Sequence, residues 1–239
     1  MMLHCAMVLV CTLLWSVAVL ADSGYYATYK LVIGLLTVGK MERSFEINVD
    51  GRYRFESKLR TTGLASIIRS DVLFESSSGT YRSGTYYPTD YTYRRKNKHK
   101  IRHITMHFDR ENANIETNVN GKIILSPLSN NLLDKLIYQA ALMVDLSMGK
   151  LNVGYRIADR GKEKLYQPTI AGEAFIETKI GRFKTIKIVR QRTKDQRRTI
   201  FWCAPDLSYL PIKVEYREKN GQTTTALLTQ YRRLGEDSP

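Results

Sequence analysis

Apolar and polar residues alternate along most of the chain after Ser23, and glycine-containing turns separate the alternating runs. A period of two places apolar side chains on one face of a strand and polar side chains on the other. The run Ile212–Arg217 is a clear example, because Ile212, Val214 and Tyr216 alternate with charged residues. The pattern predicts a mainly β protein built from antiparallel strands.

Three Asn-Gly or Asp-Gly pairs mark predicted hairpin turns. Asn220-Gly221 fits a plain two-residue type I′ turn, which would set Val214 opposite Leu227. Asp50-Gly51 and Asn120-Gly121 are each predicted to carry one extra residue, because a plain turn there would set apolar residues opposite polar ones. Two bulged hairpins would help to curl the sheet.

One segment, Ser129–Met148, has apolar residues at helical spacing and predicts a helix. Ser129 is the expected N-cap, and Gly149 is expected to end the helix. A helix of this length spans ~30 Å. We therefore expect a single curved antiparallel sheet, or an incomplete β-barrel, packed around one long helix at about 129–148.

The first residues form an apolar run from Cys5 to Leu20, followed by the small residue Ala21. This pattern predicts a signal peptide over 1–21, one β-rich domain over 22–235 and a flexible tail over 236–239. We therefore expect an exported protein. An inner-membrane protein anchored by an uncleaved leader is the alternative, because no Lys or Arg precedes the apolar run and its length approaches the ~17–25 residues that span a bilayer.

The formal net charge of +14 lies wholly after the predicted leader. A strongly basic surface attracts acidic partners. For an exported protein we expect these to be anionic lipid headgroups, envelope glycans or acidic proteins. Nucleic acid is not an expected partner, because export argues against it and no base-reading or stacking module is recognisable.

The densest cluster of charge is a predicted basic hairpin, proposed as an anion-binding site. It contains Arg94, Arg95, Lys96, Lys98, Lys100 and Arg102. A second basic group contains Arg190, Arg192, Lys194, Arg197 and Arg198. Charges of this kind also protect strand edges from aggregation, and that alternative stays open.

No catalytic or metal-binding residue is predicted, and no cofactor is expected. Neighbouring residues among His99, His103 and His107 are four apart, which on a strand is ~13 Å and too far to share one zinc ion. Nucleophile elbows, phosphate loops and zinc-protease motifs are not recognisable in the sequence. Cys203 would be the remaining cysteine after the leader is removed, and we expect it to be buried and unpaired.

Several short motifs occur along the chain: Tyr26-x-x-Tyr29-Lys30, Phe74-Glu75, Pro88-x-x-Tyr91, Phe108-Asp109-Arg110, Gly181-x-Phe183-x-Thr185 and Trp202-x-Ala204-Pro205-Asp206-Leu207-x-Tyr209-Leu210-Pro211. Together they resemble an uncharacterised bacterial family of exported envelope proteins, called domain of unknown function 3108. The resemblance covers nearly the whole chain after the leader. It implies a periplasmic β-rich domain with no established activity.

The last of these motifs is also predicted to be a structural corner formed by Trp202, Pro205, Asp206 and Pro211. Proline cannot donate to a ladder, so Pro205 and Pro211 are expected to end strand pairing on either side of the corner. Trp202 is expected to anchor it.

The function expected from these features is that of a non-catalytic binding protein of the cell envelope for an amphipathic anionic lipid or a glycan. The alternative is a hydrolase or transferase acting on envelope polymers, which a buried carboxylate pair at glycosidase separation would favour. A closed, fully filled core would instead favour an interaction or structural module.

Overall fold

The computed structural model describes residues 23–62, 71–98, 100–150, 152–191 and 197–235, so the predicted leader and tail lie outside it. Within these ranges the fold is mainly β with one α-helix, as predicted. The first half contains β1 (Ser23–Ile33), β2 (Leu36–Ile47), β3 (Arg52–Thr61), β4 (Val72–Arg82), β5 (Thr85–Lys96), β6 (Ile101–Asp109), β7 (Asn114–Val119) and β8 (Lys122–Pro127). The second half contains β9 (Leu132–Leu133), α1 (Ile137–Ser147), β10 (Tyr155–Ala158), β11 (Glu163–Tyr166), β12 (Thr169–Thr178), β13 (Gly181–Gln191), β14 (Arg198–Ala204), β15 (Leu210–Arg217) and β16 (Thr223–Leu234).

Thirteen of the described strands form one antiparallel sheet in the order β12-β13-β14-β15-β16-β1-β2-β3-β4-β5-β6-β7-β8. The two edge strands, β12 and β8, do not pair with each other, so the barrel is incomplete, as predicted. A smaller sheet has the order β11-β10-β9. Strands β1 and β16 are neighbours near the middle of the large sheet.

The helix α1 lies in the concavity of the sheet. Gln139 accepts a hydrogen bond of 3.0 Å from Arg43 on β2, and the ring of Tyr138 packs edge-on against Phe201 of β14 at 6.5 Å. Neighbouring helix residues thus contact strands that are four places apart in the sheet order. Side chains from the helix, the small sheet and the inner face of the large sheet form one buried cluster. The middle of the concavity is therefore filled.

The predicted helix at 129–148 is too long, because only Ile137–Ser147 is helical. The pair Leu132–Leu133 forms β9, which lies parallel to β10. Apolar residues at 132 and 133 fit a strand as well as a helix, and the tertiary pairing decides between the two. The predicted end is confirmed, since Gly149 adopts a φ of 71° there.

The residue that caps the N-terminus of the helix also differs from the prediction. Asp134, not Ser129, satisfies the free N–H groups at the start of α1, because its Oδ1 accepts from Leu136 and Ile137 at 2.8 and 3.0 Å. Ser129 instead donates to Glu163 of β11 at 2.6 Å. The carboxylate cap fixes where the helix begins.

The β2–β3 hairpin carries the extra residue predicted for it. Ile47 pairs with Tyr53, and the N–H of Asn48 donates to the carbonyl of Arg52, so the three residues 49–51 form the loop, and Gly51 adopts a φ of 75°. The bulged turn sets apolar residues on the same face of both strands.

The other two hairpins differ from the predictions. Val119 pairs with Lys122 around a plain two-residue turn, because the outer face of β8 is exposed and its apolar residues do not match those of β7. Val214 pairs with Ala226, not Leu227, around a three-residue loop that ends at Gly221. Because β16 begins with consecutive threonines, its sequence there has no alternation of apolar and polar residues that would specify this register.

The predicted corner is present, with two differences. Pro205 begins a short 3₁₀ turn at Pro205–Leu207 that also holds the exposed Asp206. Pro211, however, lies inside β15 and pairs with Cys203 beside a register shift, so it does not end the ladder. Trp202 is buried but outside the core cluster, and Lys213 lies 4.3 Å from its ring centroid. Trp202 therefore anchors the sheet from its outer face.

Candidate anion-binding cleft

A cleft of about 320 Å³ opens at one end of the curled sheet, where β5 and β6 approach β13, β14 and β15. Among the described residues, seven cationic side chains and one carboxylate line it. The lining residues are Tyr93, Arg102, Ile104, Lys135, Asp159, Arg160, Lys164, Tyr166, Arg190, Arg197, Arg198 and Tyr216. This is a strongly positive concave surface.

Strand alternation divides the predicted basic hairpin between two faces of the sheet. Tyr93 and Arg95 alternate on β5 with Arg94 and Lys96, which are exposed on the outer face. On β6, Arg102 pairs with Arg95 on the inner side and lines the cleft. The six predicted residues therefore do not form one surface.

The remaining hairpin residues lie beside the cleft. Lys98 and Lys100 are exposed in the turn. An adjoining groove of about 230 Å³ is lined by Arg95, Lys100 and Arg102, among others. Arg102 is thus the hairpin residue shared by the groove and the basic cleft.

The second predicted basic group contributes more to the cleft than the first. Arg190, at the end of β13, places its guanidinium 4.2 Å from the ring centroid of Tyr166 and donates to Thr199 at 2.7 Å. Arg197 and Arg198 line the same cleft from the start of β14. Arg192 and Lys194 lie outside the described residues.

A buried carboxylate, Asp159, organises the other cations of the cleft. It is 3% exposed and forms ion pairs with Lys135, Lys164 and, at 3.3 Å, Arg160. Burial alone would raise the pKa of Asp159, but the charges and hydrogen bonds of Lys135 and Lys164 outweigh it and lower the pKa to about 2. The carboxylate therefore stays ionised and fixes three cations in place.

The turn that carries this group has an unusual backbone. Asp159 and Lys162 exchange backbone hydrogen bonds of 2.7 and 3.2 Å between β10 and β11. Arg160 and Gly161 both adopt positive φ, 55° and 72°. Glycine accepts this conformation freely, whereas a long side chain such as arginine is uncommon there. The fold holds Arg160 at the cleft in a conformation that disfavours its residue type.

Lys135, Asp159, Arg160, Lys164 and Tyr166 are lining residues that sequence reasoning missed. Lys135 falls inside the segment 129–148 that was predicted to be helical. A signal was present in the alternation of Arg160, Lys162 and Lys164 around Gly161, which marks a basic hairpin. Their convergence with Arg190 depends on tertiary structure.

The histidines do not contribute to the cleft. His103 and His107 are exposed on the outer side of β6, and Nδ1 of His107 lies 2.9 Å from Oδ1 of Asp90. His99 lies outside the described residues. Within the described ranges, no three His, Cys, Asp or Glu side chains converge as metal ligands would.

Two further carboxyl groups, the fully buried Asp134 and the half-buried Glu75, lie away from the cleft lining. Glu75 accepts a hydrogen bond of 2.5 Å from the hydroxyl of Tyr91, and burial raises its pKa. Asp134 accepts from Ser77 at 2.6 Å as well as from the helix N–H groups. Burial raises the pKa of Asp134 to about 6, although these hydrogen bonds oppose the shift. The donors already occupy both oxygens of Asp134.

A second cleft, of about 490 Å³, lies at the other end of the sheet and has a different character. Its walls include Tyr25, Phe45, Tyr86, Met143 and Tyr231. Tyr86 of this cleft and Tyr93 of the basic cleft lie seven residues apart on β5, which corresponds to ~23 Å. The filled core separates the two clefts.

Within the described ranges, α1 is too short to be a membrane-spanning helix.

Among solved structures, the chain is similar to the beta-barrel-like protein of domain of unknown function DUF1849 from Brucella abortus. The TM-score is 0.57 at 10% sequence identity, and the match covers 88% of this chain and 98% of that one. This likeness shows a shared fold.

No curated protein matches the chain. The profile of the family described as "Protein of unknown function (DUF3108)" matches residues 25–229. That match spans β1 to most of β16, including the strands that build the basic cleft and the corner at Pro205. The chain belongs to the DUF3108 family.

Proposed function

We propose that this protein is a non-catalytic binding protein of the cell envelope whose basic cleft holds an anionic ligand. The observation that carries the proposal is the composition of the cleft lining, in which seven of the described side chains are cationic and one is a carboxylate. Clefts lined by charge of one sign focus the electrostatic field and raise the local concentration of oppositely charged ligands. Fixed positive charge of this density is relieved by a bound anion.

The placement of arginines beside the cleft supports this function over edge protection. Arg198 lies directly opposite Arg217 in the β14–β15 ladder. Like charges in directly opposed positions destabilise a sheet, and edge protection needs only one or two charges on an edge strand. Strands β14 and β15 are interior strands of the sheet, so protection of an edge does not explain the pair.

The filled core narrows the choice of ligand. An amphipathic lipid held by its headgroup in the basic cleft has no open path through the concavity for its acyl chains, because α1 and the small sheet occupy the middle. The ligand groups that the cleft suits are therefore an anionic glycan or the exposed headgroup of an anionic lipid.

Export to the periplasm is part of the proposal and rests on the apolar run between Cys5 and Leu20. The mature N-terminus is expected at or near Asp22. Intact-mass analysis of the exported protein checks this, and a retained leader would change the proposal to a membrane-anchored protein.

Binding is tested by co-sedimentation with phosphatidylglycerol vesicles and with phosphatidylcholine vesicles, and by binding to alginate, over a salt series. The cleft variant is Arg102→Ser with Arg198→Ser. The matched control is Arg94→Ser with Lys96→Ser, which removes two exposed charges from the outer face of the same hairpin. Each charge lost near an anionic membrane removes on the order of 1 kcal/mol of binding.

The cleft variant is expected to lose binding, and the control to retain most of it. Binding of the wild type should weaken as salt increases. If the control loses as much as the cleft variant, the ligand meets the outer hairpin surface and the cleft is not the site. Equal binding by all three proteins would remove the support for the function.

A hydrolase acting on envelope polymers is the second candidate, favoured by the raised pKa of both Glu75 and Asp134 in the interior. Against it, Asp134 caps the helix and neither group lines the basic cleft. Incubation of the wild type and Glu75→Gln with envelope polysaccharide, followed by analysis of reducing ends, decides this. Release of reducing ends by the wild type alone would establish the enzyme.

A further inference from the structure

The cations of the basic cleft fall into two groups that are held in different ways. Lys135, Arg160 and Lys164 are tied to Asp159, whose single charge leaves that group with an excess of positive charge. The other group is formed by Arg102 on β6, Arg190 on β13, Arg198 on β14 and Arg197 directly before β14. The cleft thus offers two cationic subsites within about 320 Å³.

The amount of charge in this volume restricts the ligand chemistry. A carboxylate or a sulfate ester brings one negative charge, whereas a phosphomonoester brings ~1.5–2 charges and three acceptor oxygens. Five of the seven described cations are arginines, whose planar forks bind phosphate through paired hydrogen bonds. A compact ligand matches the cleft charge best when it carries phosphomonoesters, one for each subsite.

The rest of the lining indicates what carries the phosphates. Ile104 is the single aliphatic side chain of the described lining, so an acyl chain has little to contact. Tyr93 and Tyr216 are half-buried and offer ring faces and hydroxyl groups, which suit a sugar or another polyol.

A nucleic acid strand suits the cleft less well. Single-stranded nucleic acids bind along extended grooves and stack their bases on open aromatic faces. Here the space is small, and the guanidinium of Arg190 already covers the ring of Tyr166 at 4.2 Å. The face of the Tyr166 ring that Arg190 covers is therefore closed to a base.

Because the cleft holds one group of cations around Asp159 and a second group of four arginines, we infer that its ligand is a compact sugar or polyol that carries at least two phosphomonoester groups. The inference rests on the proposed function and specifies its ligand. Such a group occurs both as a free sugar phosphate and as the headgroup of a phosphorylated lipid, and its chemistry at the cleft is the same.

The test is isothermal titration of the full processed protein with glucose 1,6-bisphosphate, glucose 6-phosphate and glucose. We expect the bisphosphate to bind at least about tenfold more tightly than the monophosphate, because one additional charge-assisted contact is worth more than ~1.4 kcal/mol. Glucose is expected not to bind. The preference should disappear in Arg102→Ser with Arg198→Ser and persist in Arg94→Ser with Lys96→Ser.

The source of the sugar phosphate is distinguished by vesicles that contain phosphatidylinositol 4,5-bisphosphate, compared with phosphatidylserine vesicles. Binding to the former as well as to the free bisphosphate supports a lipid headgroup as the source, and binding to the free compound alone supports a soluble one. Thermal unfolding checks that both double variants remain folded.

The results separate the two proposals. If alginate or phosphatidylglycerol binding depends on Arg102 and Arg198 but the bisphosphate binds no more tightly than the monophosphate, the inferred ligand class is wrong and the proposed function stands. If no anionic probe binds, both are wrong. Tighter binding of a short single-stranded oligonucleotide than of the bisphosphate would also overturn the ligand class.

Discussion

Arg95 on β5 lies directly opposite Arg102 on β6, and both side chains line one groove beside the basic cleft. Arg95 is compensated by Asp71, whose Oδ2 lies 3.2 Å from its Nη2. Among the described residues, no carboxylate forms an ion pair with Arg102. Two facing cations lower the stability of a ladder. The position of Arg102 is thus unfavourable for the fold and useful for binding an anion.

Replacement of Arg102 should therefore separate stability from binding. Arg102→Thr is expected to raise the free energy of unfolding by about 0.2–1 kcal/mol, because it removes the facing charge and threonine suits a strand. The same variant should bind anionic vesicles less well. Urea unfolding measures the first effect, with Arg94→Thr as a control expected within about 0.5 kcal/mol of the wild type. A less stable Arg102→Thr protein would contradict the argument.

The buried carboxyl of Asp134 should make stability depend on pH. Its pKa is about 6 in the folded protein against an ordinary value of 3.8, so the fold favours the protonated form. The protonated carboxyl makes its full contribution to the free energy of unfolding below about pH 4. This contribution is lost as the pH rises through 6, which lowers the free energy of unfolding by about 3 kcal/mol.

Asp134→Asn provides the comparison, because an amide retains an oxygen for the two helix N–H groups and can donate to Ser77. We expect the unfolding free energy of this variant to change less between pH 4 and pH 8 than that of the wild type. Urea unfolding over this pH range measures both proteins. An identical pH dependence in the two would show that Asp134 does not cause it.

Cys203 is fully buried in the core cluster, as expected from its apolar neighbours, and burial raises the pKa of its thiol. Cys203→Ser should cost about 1–3 kcal/mol of stability, because it buries a hydroxyl without an assured partner. Binding to anionic vesicles should not change, since Cys203 does not line the cleft. A folded Cys203→Ser protein that no longer binds would instead give the thiol a functional role.

Gly79 allows β4 and β5 to approach closely. A Cβ atom at this position would lie 2.2 Å from the carbonyl oxygen of Tyr87 and 2.8 Å from the Cα of Pro88. Gly79→Ala should therefore destabilise the fold by at least about 1–3 kcal/mol. Gly154→Ala is the control, because a Cβ there has its nearest neighbour at 3.9 Å. Thermal unfolding of both variants tests the contrast, and equal midpoints would contradict it.

In this protein, local sequence patterns predict whether a segment is a strand or a helix better than they predict which segments pair with each other. Period-two alternation correctly predicts a mainly β fold, and Gly149 gives the end of the helix. The start of the helix depends on two features, the cap that Asp134 provides to Leu136 and Ile137 and the pairing of Leu132–Leu133 with β10, and the second is a tertiary contact that no local pattern shows. The register at Asn220-Gly221 depends on whether the loop has two or three residues, and both suit these residue types.

The candidate site is predictable only in part for a similar reason. The sequence identifies Arg102, Arg190, Arg197 and Arg198 as members of basic groups, because like charges near each other in a sequence are visible without a structure. Their common cleft requires strands β6 and β14 to approach across a curled sheet. Asp159, which holds three of the cations, is an isolated acidic residue in the sequence and gives no local signal.

The pairing of β1 with β16 has a consequence for the time at which the sheet can be completed. Tyr29 pairs with Leu228, so a central ladder joins residues about two hundred positions apart. At a synthesis rate of ~5–20 residues per second, the first strand exists for roughly 10–40 s before its neighbour has been made. During that interval β1 can form a hairpin with β2, but its other edge has no native partner. Completion of the sheet must wait until β16 has been made.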